Sequence, residues 1–228
     1  MTDVVLPPDS IVRPIPLGHV NAFLIKGARP VLVDTGLPGS APKILAALQA
    51  EGIRPWDLAL IIITHVHTDH FGSAAAIAGA TGAPVLVHTR EAKFLAAGAS
   101  LSAVPAAFIG RVLGLMIGKH APAPELAIKP VIRVDAPYRL DAFGIDGEII
   151  PTPGHTHGSV SVMLATGECI AGDLVMGMFP AHKPRLPVFA EDREAAKKSI
   201  RTVLDRKPAI IYTGHGRPFS CDQLEALF

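Results

Sequence analysis

The stretch Thr64–His70 constrains this chain more than any other, because three histidines and an aspartate fall within six residues. It follows the apolar run 58–63, whose length and composition predict a buried β-strand. Imidazole and carboxylate groups are poor material for a core, but they are ordinary ligands of zinc and other divalent ions. The stretch therefore predicts a metal site where a buried strand ends. Ordinary surface or core histidines are the alternative.

The spacing within this stretch favours two metal ions over one. Side chains two residues apart on a strand point to the same face, so His65 and His67 should share a side. Asp69 and His70 belong to the turn that follows and can reach a neighbouring position. This order fits one ion near His65 and His67 and a second ion near Asp69 and His70.

Polar side chains also follow directly or closely after other apolar segments of the chain. Asp34 follows the run 31–33, where a buried carboxylate is costly unless it is hydrogen-bonded or paired. Two roles stay open for Asp34: a turn or helix cap, and a carboxylate that braces the metal ligands from behind. Three ligand-type side chains follow apolar segments later in the chain: His155, Asp173 and His215.

Five short motifs in chain order resemble the metallo-β-lactamase superfamily, in particular its glyoxalase-II-like and lactonase-like metallo-hydrolases. The motifs are D-T-G at 34–36, H-x-H-x-D-H at 65–70, T-P-G-H-T-x-G-S at 152–159, G-D at 172–173 and G-H-G at 214–216. The resemblance implies an α/β fold, the αβ/βα sandwich in which two mixed sheets are flanked by helices. It spans nearly the whole chain, so we expect a single domain over residues 1–228.

The same resemblance implies the ligands of two divalent ions, with one carboxylate bridging them. The implied ligands are His65, His67 and His155 for one ion, Asp69, His70 and His215 for the other, and Asp173 as the bridge. Zinc is the expected metal, and iron and manganese are alternatives that accept the same nitrogen and oxygen ligands. Asp69 is the candidate catalytic residue, because it could pass a proton to the leaving group.

One position departs from the pattern of the superfamily. The variable residue of the third motif is commonly proline in relatives, and here it is His157. We expect this side chain to face solvent. A contact with substrate, or with the ligands from behind, is the alternative.

The resemblance implies hydrolysis of a small ester, thioester or lactone by a metal-bound hydroxide. Two other functions stay open: a mononuclear-iron sulfur dioxygenase of the same fold, and a metal-binding protein without catalysis. The bridging Asp173 disfavours hydrolysis of β-lactam antibiotics. Only 13 residues follow His215, so the helical glutathione-binding region of glyoxalase II is not expected.

Residues 89–125 interrupt the alternation of strands and helices with a long apolar segment. Helical spacing occurs on either side of Pro105, and large side chains such as Phe94, Phe108 and Met116 recur. We expect a helical lid, a substrate wall or a homodimer contact beside the metal site. An ordinary helical part of the core is the alternative.

Charge and composition narrow the expected partners to small molecules. The 21 basic side chains nearly balance the 20 acidic ones, so no strong field is available to recruit nucleic acid or an anionic membrane. The N-terminus lacks the basic and apolar regions of a signal peptide, and Pro105 and Arg111 interrupt the apolar segment 99–118. Two cysteines make no disulfide framework. We therefore expect a cytoplasmic protein with a small-molecule substrate and no membrane span.

Hydrophobic periodicity predicts a regular series of elements around these motifs. Strands are expected at 20–25, 31–33, 58–63, 84–88, 160–164, 168–171 and 208–213, and helices at 40–51, 74–79 and 192–204.

Overall fold

A six-stranded mixed sheet forms the first half of the framework in a computed structural model that describes residues 10–105, 122–177 and 183–226. The first three strands pair in antiparallel fashion, and the third to the sixth run parallel. In spatial order, which is also chain order, the strands are β1 (Val12–Pro16), β2 (Asn21–Ile25), β3 (Val31–Val33), β4 (Leu60–Ile62), β5 (Val85–His88) and β6 (Ile132–Val134).

A five-stranded sheet forms the second half, with the spatial order β11-β10-β9-β8-β7. Its strands pair in antiparallel fashion except for β10 and β11, which run parallel. The strands are β7 (Tyr138–Arg139), β8 (Gly147–Pro151), β9 (Val160–Leu164), β10 (Glu168–Ile170) and β11 (Ile210–Tyr212).

Helices cover the outer faces of both sheets. They are α1 (Ala41–Ala50), α2 (Thr68–Phe71), α3 (Ala74–Thr81), α4 (Ala92–Ala97), α5 (Arg193–Leu204) and α6 (Cys221–Glu225). The longest, α5, begins at Asp192, whose carboxylate accepts hydrogen bonds from the backbone N–H groups of Glu194 and Ala195. Within the described residues, no helix combines the length and the apolar character needed to cross a membrane.

Strand alternation divides the apolar side chains among three cores. Val31 and Val33 pack between the two sheets, whereas Leu32 packs against the helices behind the first sheet. Tyr212 likewise faces the space between the sheets, and its neighbour Ile211 packs toward α5 and α6. The layers therefore follow the order helix, sheet, sheet, helix. This is the αβ/βα sandwich that the motifs predicted.

The predicted elements agree with the observed ones to within about two residues. The largest difference is the strand predicted at 58–63, of which only Leu60–Ile62 pairs as β4. The rest of the apolar run is nevertheless buried, namely Leu58, Ala59 and Ile63. The run therefore predicts which residues are buried, but not how many of them pair as a strand.

The beginning of the 89–125 segment contains α4, which ends at Gly98 with φ of +62°. Phe94 packs against the core behind the first sheet, so for this residue the ordinary core role is the correct one. Whether it also lines a substrate site stays a prediction. Phe108 and Met116 lie outside the described residues.

Candidate metal centre

The seven predicted ligands converge where strands of both sheets end. The turn after β4 supplies four of them, and loops that follow β8, β10 and β11 supply one each. Two sets of these residues could each hold an ion: His65, His67 and His155, the first group, and Asp69, His70 and His215, the second group. A further set, His65, His70 and Asp173, shares one residue with each group. The polar atoms of each set lie within 4.8 Å of one another.

Three imidazoles form the first group. The Nε2 atom of His155 lies 3.2 Å from Nε2 of His65 and 3.0 Å from Nδ1 of His67. The rings of His65 and His67 stand at 88° with centroids 4.8 Å apart, and their centroids lie 4.6 and 4.8 Å from that of His155. β4 ends at Ile62 and the chain bends at Thr64 and His65, so the turn brings these rings together, and not a strand period. Ring nitrogens directed at one point make a donor set suited to a divalent ion.

Two imidazoles and a carboxylate form the second group. The Oδ2 atom of Asp69 lies 3.2 Å from Nε2 of His215 and 3.8 Å from Nε2 of His70. The His70 side chain is fully buried, whereas Asp69 exposes 33% of its side chain. The second group therefore contains a carboxylate that solvent reaches, whereas the partly exposed residue of the first group is an imidazole, His67.

Asp173 stands between the two groups, in the short 3₁₀ turn Gly172–Leu174 after β10. Its Oδ2 atom lies 3.7 Å from Nε2 of His155 and 3.3 Å from Nε2 of His215. Its Oδ1 atom lies 3.4 Å from Nε2 of His70. One carboxylate thus reaches both groups, which is the position expected of a bridge.

Hydrogen bonds behind the ligands set the tautomers of three imidazoles. In each ring Nδ1 donates to an oxygen atom, so Nε2 is the nitrogen that faces the centre and the one available to a metal. The acceptors are the Asp34 carboxylate for His70 at 2.8 Å, the Phe189 carbonyl for His155 at 2.8 Å, and the His19 carbonyl for His215 at 2.6 Å.

Asp34 braces the turn 64–70, called the metal turn, from the side away from the centre. This is the second of the two roles that the sequence left open. Its φ of +59° is an uncommon conformation for a residue other than glycine. The carboxylate accepts hydrogen bonds from the Thr64 backbone N–H at 2.8 Å and the Thr64 hydroxyl at 2.7 Å. Because that hydroxyl donates to Asp34, it accepts from Nδ1 of His65 at 3.1 Å and leaves Nε2 of His65 free. Asp34 therefore orients His70 directly and His65 through Thr64.

Replacing Asp34 by asparagine should weaken metal retention by about 10–100-fold, the range for loss of a hydrogen bond behind a ligand. The Oδ2 atom of Asp34 accepts from the Thr64 hydroxyl and from Nδ1 of His70, and the Oδ1 atom accepts from the Thr64 N–H. An amide has one acceptor oxygen, so its NH₂ group must face either the Thr64 N–H or the other two donors. Competition between the protein and a zinc chelator measures the effect. Unchanged zinc affinity in Asp34→Asn would contradict the bracing role.

The two groups differ in their electrostatics. Burial, with smaller effects from neighbouring imidazoles, holds the pKa of His65 well below its usual range and lowers the pKa of His67 to about 3. Burial also opposes protonation of His215, but Asp173 and Asp69 outweigh it and raise the pKa of His215 to about 10. The first group is thus a set of neutral nitrogen donors, and the second group combines imidazoles with anions.

Unpaired polar atoms show that the centre fits bound cations. Among the described residues, three buried atoms lack a hydrogen-bond partner: Nε2 of His67, Nε2 of His70 and Oδ1 of Asp173. An unpaired buried polar group costs about 1–3 kcal/mol, so such groups are rare without a reason. The last two of these atoms lie 3.4 Å apart inside the centre. Divalent ions would satisfy them, and the nitrogen and oxygen donors suit zinc, iron or manganese.

His157 lies outside this constellation. Its side chain is 56% exposed, and its Nε2 atom lies 3.9 Å from Oε2 of Glu191. It therefore faces solvent, as expected, although it is only two residues from His155.

The chain after α4 runs along the metal turn. The Leu101 N–H donates to the Val66 carbonyl at 2.9 Å, and the Ser100 hydroxyl accepts from the Thr68 N–H at 3.1 Å. This part of the 89–125 segment therefore lies beside the centre. Sequence analysis missed Ser100, and it also missed Glu91, whose contacts are described below.

A four-layer αβ/βα sandwich with a buried His and Asp constellation at its strand ends defines a class of metal-binding protein. The chain belongs to the metallo-β-lactamase superfamily, whose family model matches residues 15–215.

Relatives and solved structures agree with this membership. The chain is 29% identical over 198 residues to a probable metallo-hydrolase of Methanocaldococcus jannaschii, covering 86% of this chain and 87% of that protein. It is 33% identical over 119 residues to a hydroxyacylglutathione hydrolase of Albidiferax ferrireducens, covering 52% of this chain and 32% of that protein. An archaeal metallo-β-lactamase superfamily protein from Sulfolobus tokodaii superposes with a TM-score of 0.69 at 21% identity, covering 96% and 85% of the two chains. The last similarity supports the fold alone.

Proposed function

We propose that this chain is a hydrolase that uses two divalent metal ions, zinc first among them, to cleave a small ester, thioester or lactone. The observation that carries the proposal is Asp173, whose carboxylate reaches both the three-imidazole group and the group of Asp69, His70 and His215. Two nearby cations repel each other, and a shared anion offsets that repulsion. When bound, such ions supply a water nucleophile at neutral pH and polarise a substrate carbonyl.

The side chains of the centre have two different roles, metal binding and proton transfer. His65, His67 and His155 offer neutral nitrogen donors, because burial opposes protonation and lowers the pKa of each. Asp69 exposes 33% of its side chain, against 10% for His215 and 4% for Asp173. Among these carboxylates, Asp69 is the better placed to pass a proton from the nucleophile to the leaving group.

Two exposed apolar side chains belong to segments that also contact the predicted ligands, which favours a substrate with an acyl or other apolar part. Leu37 is 46% exposed and follows Asp34 by three residues. Val104 is 42% exposed, and its carbonyl accepts a hydrogen bond from Ala190, the residue after Phe189. Burying such surface contributes about 25 cal/mol per Å² to binding. The similarity of half the chain to a hydroxyacylglutathione hydrolase also favours the thioester class.

Metal analysis of freshly purified protein, followed by an activity panel, tests the proposal. We expect about two divalent ions per chain and hydrolysis of at least one ester, thioester or lactone. Hydrolysis should be lost when a chelator removes the metal and should return when zinc, manganese or iron is restored, because the nucleophile depends on the ions. A β-lactam in the panel tests the disfavoured substrate class.

Two results would contradict the proposal. A single iron ion, together with oxygen consumption on a persulfide, would identify the sulfur dioxygenase instead. Full metal loading without turnover of any substrate class in the panel would support a non-catalytic metal-binding protein.

A further inference from the structure

Glu91 is a buried carboxylate outside the predicted ligand set, at the residue before α4. Only 2% of the residue is exposed. Its Oε2 atom accepts a hydrogen bond from the Val66 backbone N–H, and its Oε1 atom accepts one from the Thr156 hydroxyl. The Gly158 backbone N–H is a third donor to the same carboxylate. All three donors belong to the two loops that carry the three-imidazole group.

The donors to Glu91 are chain neighbours of three predicted ligands, so Glu91 affects the positions of all three. Val66 separates His65 from His67, so the orientation of its peptide affects both rings. Thr156 follows His155 directly, and its hydroxyl and the Ser159 hydroxyl lie 2.8 Å apart. One loop follows β4 of the first sheet, and the other follows β8 of the second sheet. Glu91 therefore ties together two loops that the chain itself leaves far apart.

The metal turn is held by side chains at every second N–H group. Asp34 accepts from the N–H of Thr64, Glu91 from that of Val66, and the Ser100 hydroxyl from that of Thr68. Asp34 and Glu91 also each accept a threonine hydroxyl. Asp34 also contacts an imidazole directly, that of His70, whereas Glu91 acts on the three-imidazole group only through the loops that carry it.

We propose that Glu91 is a positioning residue that holds His65, His67 and His155 in the geometry of a metal site by cross-linking their two loops. The inference rests on the metal centre of the proposed function and adds a residue that touches neither metal nor substrate. A buried carboxylate is costly to desolvate. Burial raises the pKa of Glu91 to about 7, against the opposing effect of its three donors. Such a group is retained where its hydrogen bonds fix a geometry.

Gly158 supplies an independent observation at the same contact. A Cβ atom at this glycine would lie 2.5 Å from Cγ and 2.7 Å from Oε1 of Glu91. No positive φ requires glycine here, so the constraint is the carboxylate itself. The glycine of the T-x-G-S motif is therefore part of the cross-link.

The test compares Glu91→Gln with Glu168→Gln. Glu168 is fully buried and accepts hydrogen bonds from donors that include the Ser10 and Tyr212 hydroxyls, at the end of β10 opposite Asp173. Both substitutions disturb a buried, multiply bonded carboxylate, so both should lower the free energy of unfolding. Only Glu91→Gln should weaken zinc binding in chelator competition, by about 10–100-fold. It should also shift the imidazole ¹⁵N resonances of His65, His67 and His155 more than those of His70 and His215.

Equal loss of zinc affinity in the two variants, or unchanged affinity in Glu91→Gln, would overturn the inference and leave the proposed function standing. A wild-type chain that binds no divalent ion would overturn both. If Glu91→Gln does not fold, Gly158→Ala decides the matter. It keeps the carboxylate but displaces it, and it should weaken zinc binding in the same way. Unchanged zinc affinity in Gly158→Ala would then overturn the inference.

Discussion

Replacing Asp173 by alanine should lower the bound metal below two ions per chain and reduce hydrolysis by on the order of 10²–10³-fold, the loss typical of removing one stabilising group from an active site. Asp173 reaches Nε2 of His155 at 3.7 Å, Nε2 of His215 at 3.3 Å and Nε2 of His70 at 3.4 Å. Without this carboxylate, two cations would lack a shared protein anion. Elemental analysis of the variant and its rate on the best substrate of the panel measure the two effects.

His157→Ala is the matched control for Asp173→Ala. His157 lies two residues from His155, but its side chain is exposed and outside the constellation. The control should bind as much metal and react as fast as the wild type, because this side chain is in none of the ligand groups. It should also fold as well, because surface substitutions rarely change stability by more than about 0.5 kcal/mol. An unchanged two-metal stoichiometry in Asp173→Ala would refute the bridging role.

Adding one methyl group at Gly214 should reduce hydrolysis by about 100-fold, since a misplacement of about 1 Å in an active site can cost that much. A Cβ atom at Gly214 would lie 2.3 Å from Oδ1 of Asp173 and 2.7 Å from Cε1 of His70. Asp173 or His70 must therefore move, although neither is altered chemically. Substrate kinetics and zinc stoichiometry of Gly214→Ala measure the effect.

Gly79→Ala provides the control for an added methyl group. Gly79 lies within α3, and a Cβ atom there would meet nothing within 4 Å. Alanine in a helix is favoured over glycine by about 0.5–1 kcal/mol, so this variant should be slightly more stable and fully active. If Gly214→Ala keeps the wild-type rate and metal content, the predicted contact between Asp173 and His70 does not control the centre.

Much of this centre could be predicted from the sequence because its ligands are locally encoded. The H-x-H-x-D-H spacing puts four ligand-type side chains into one turn after β4, so they lie close together whatever the rest of the fold does. The motifs around His155, Asp173 and His215 each follow an apolar strand, and strand ends of neighbouring strands meet at one edge. The resemblance carried by these motifs implied the sandwich and the seven-residue ligand set.

The residues behind the ligands could not be predicted in the same way. The carbonyls of His19 and Phe189 orient His215 and His155, and every residue type carries the same carbonyl group. The apolar character of the 89–125 segment was also ambiguous, because large apolar side chains serve equally in a wall or a core. In the structure, Phe94 is partly buried and packs against the core behind the first sheet.

By itself, the sequence determined the chemistry of this protein: which side chains could bind metal, in what order they occur, and which runs must be buried. Tertiary structure alone decided how those side chains act together. Asp173 reaches both groups only because the turn after β10 meets the turn after β4 across the two sheets. Glu91 joins Val66 to Thr156, which are 25 and 65 residues away from it in the chain. Such contacts depend on how the two sheets pack, and the spacing of residues within a motif does not determine that packing.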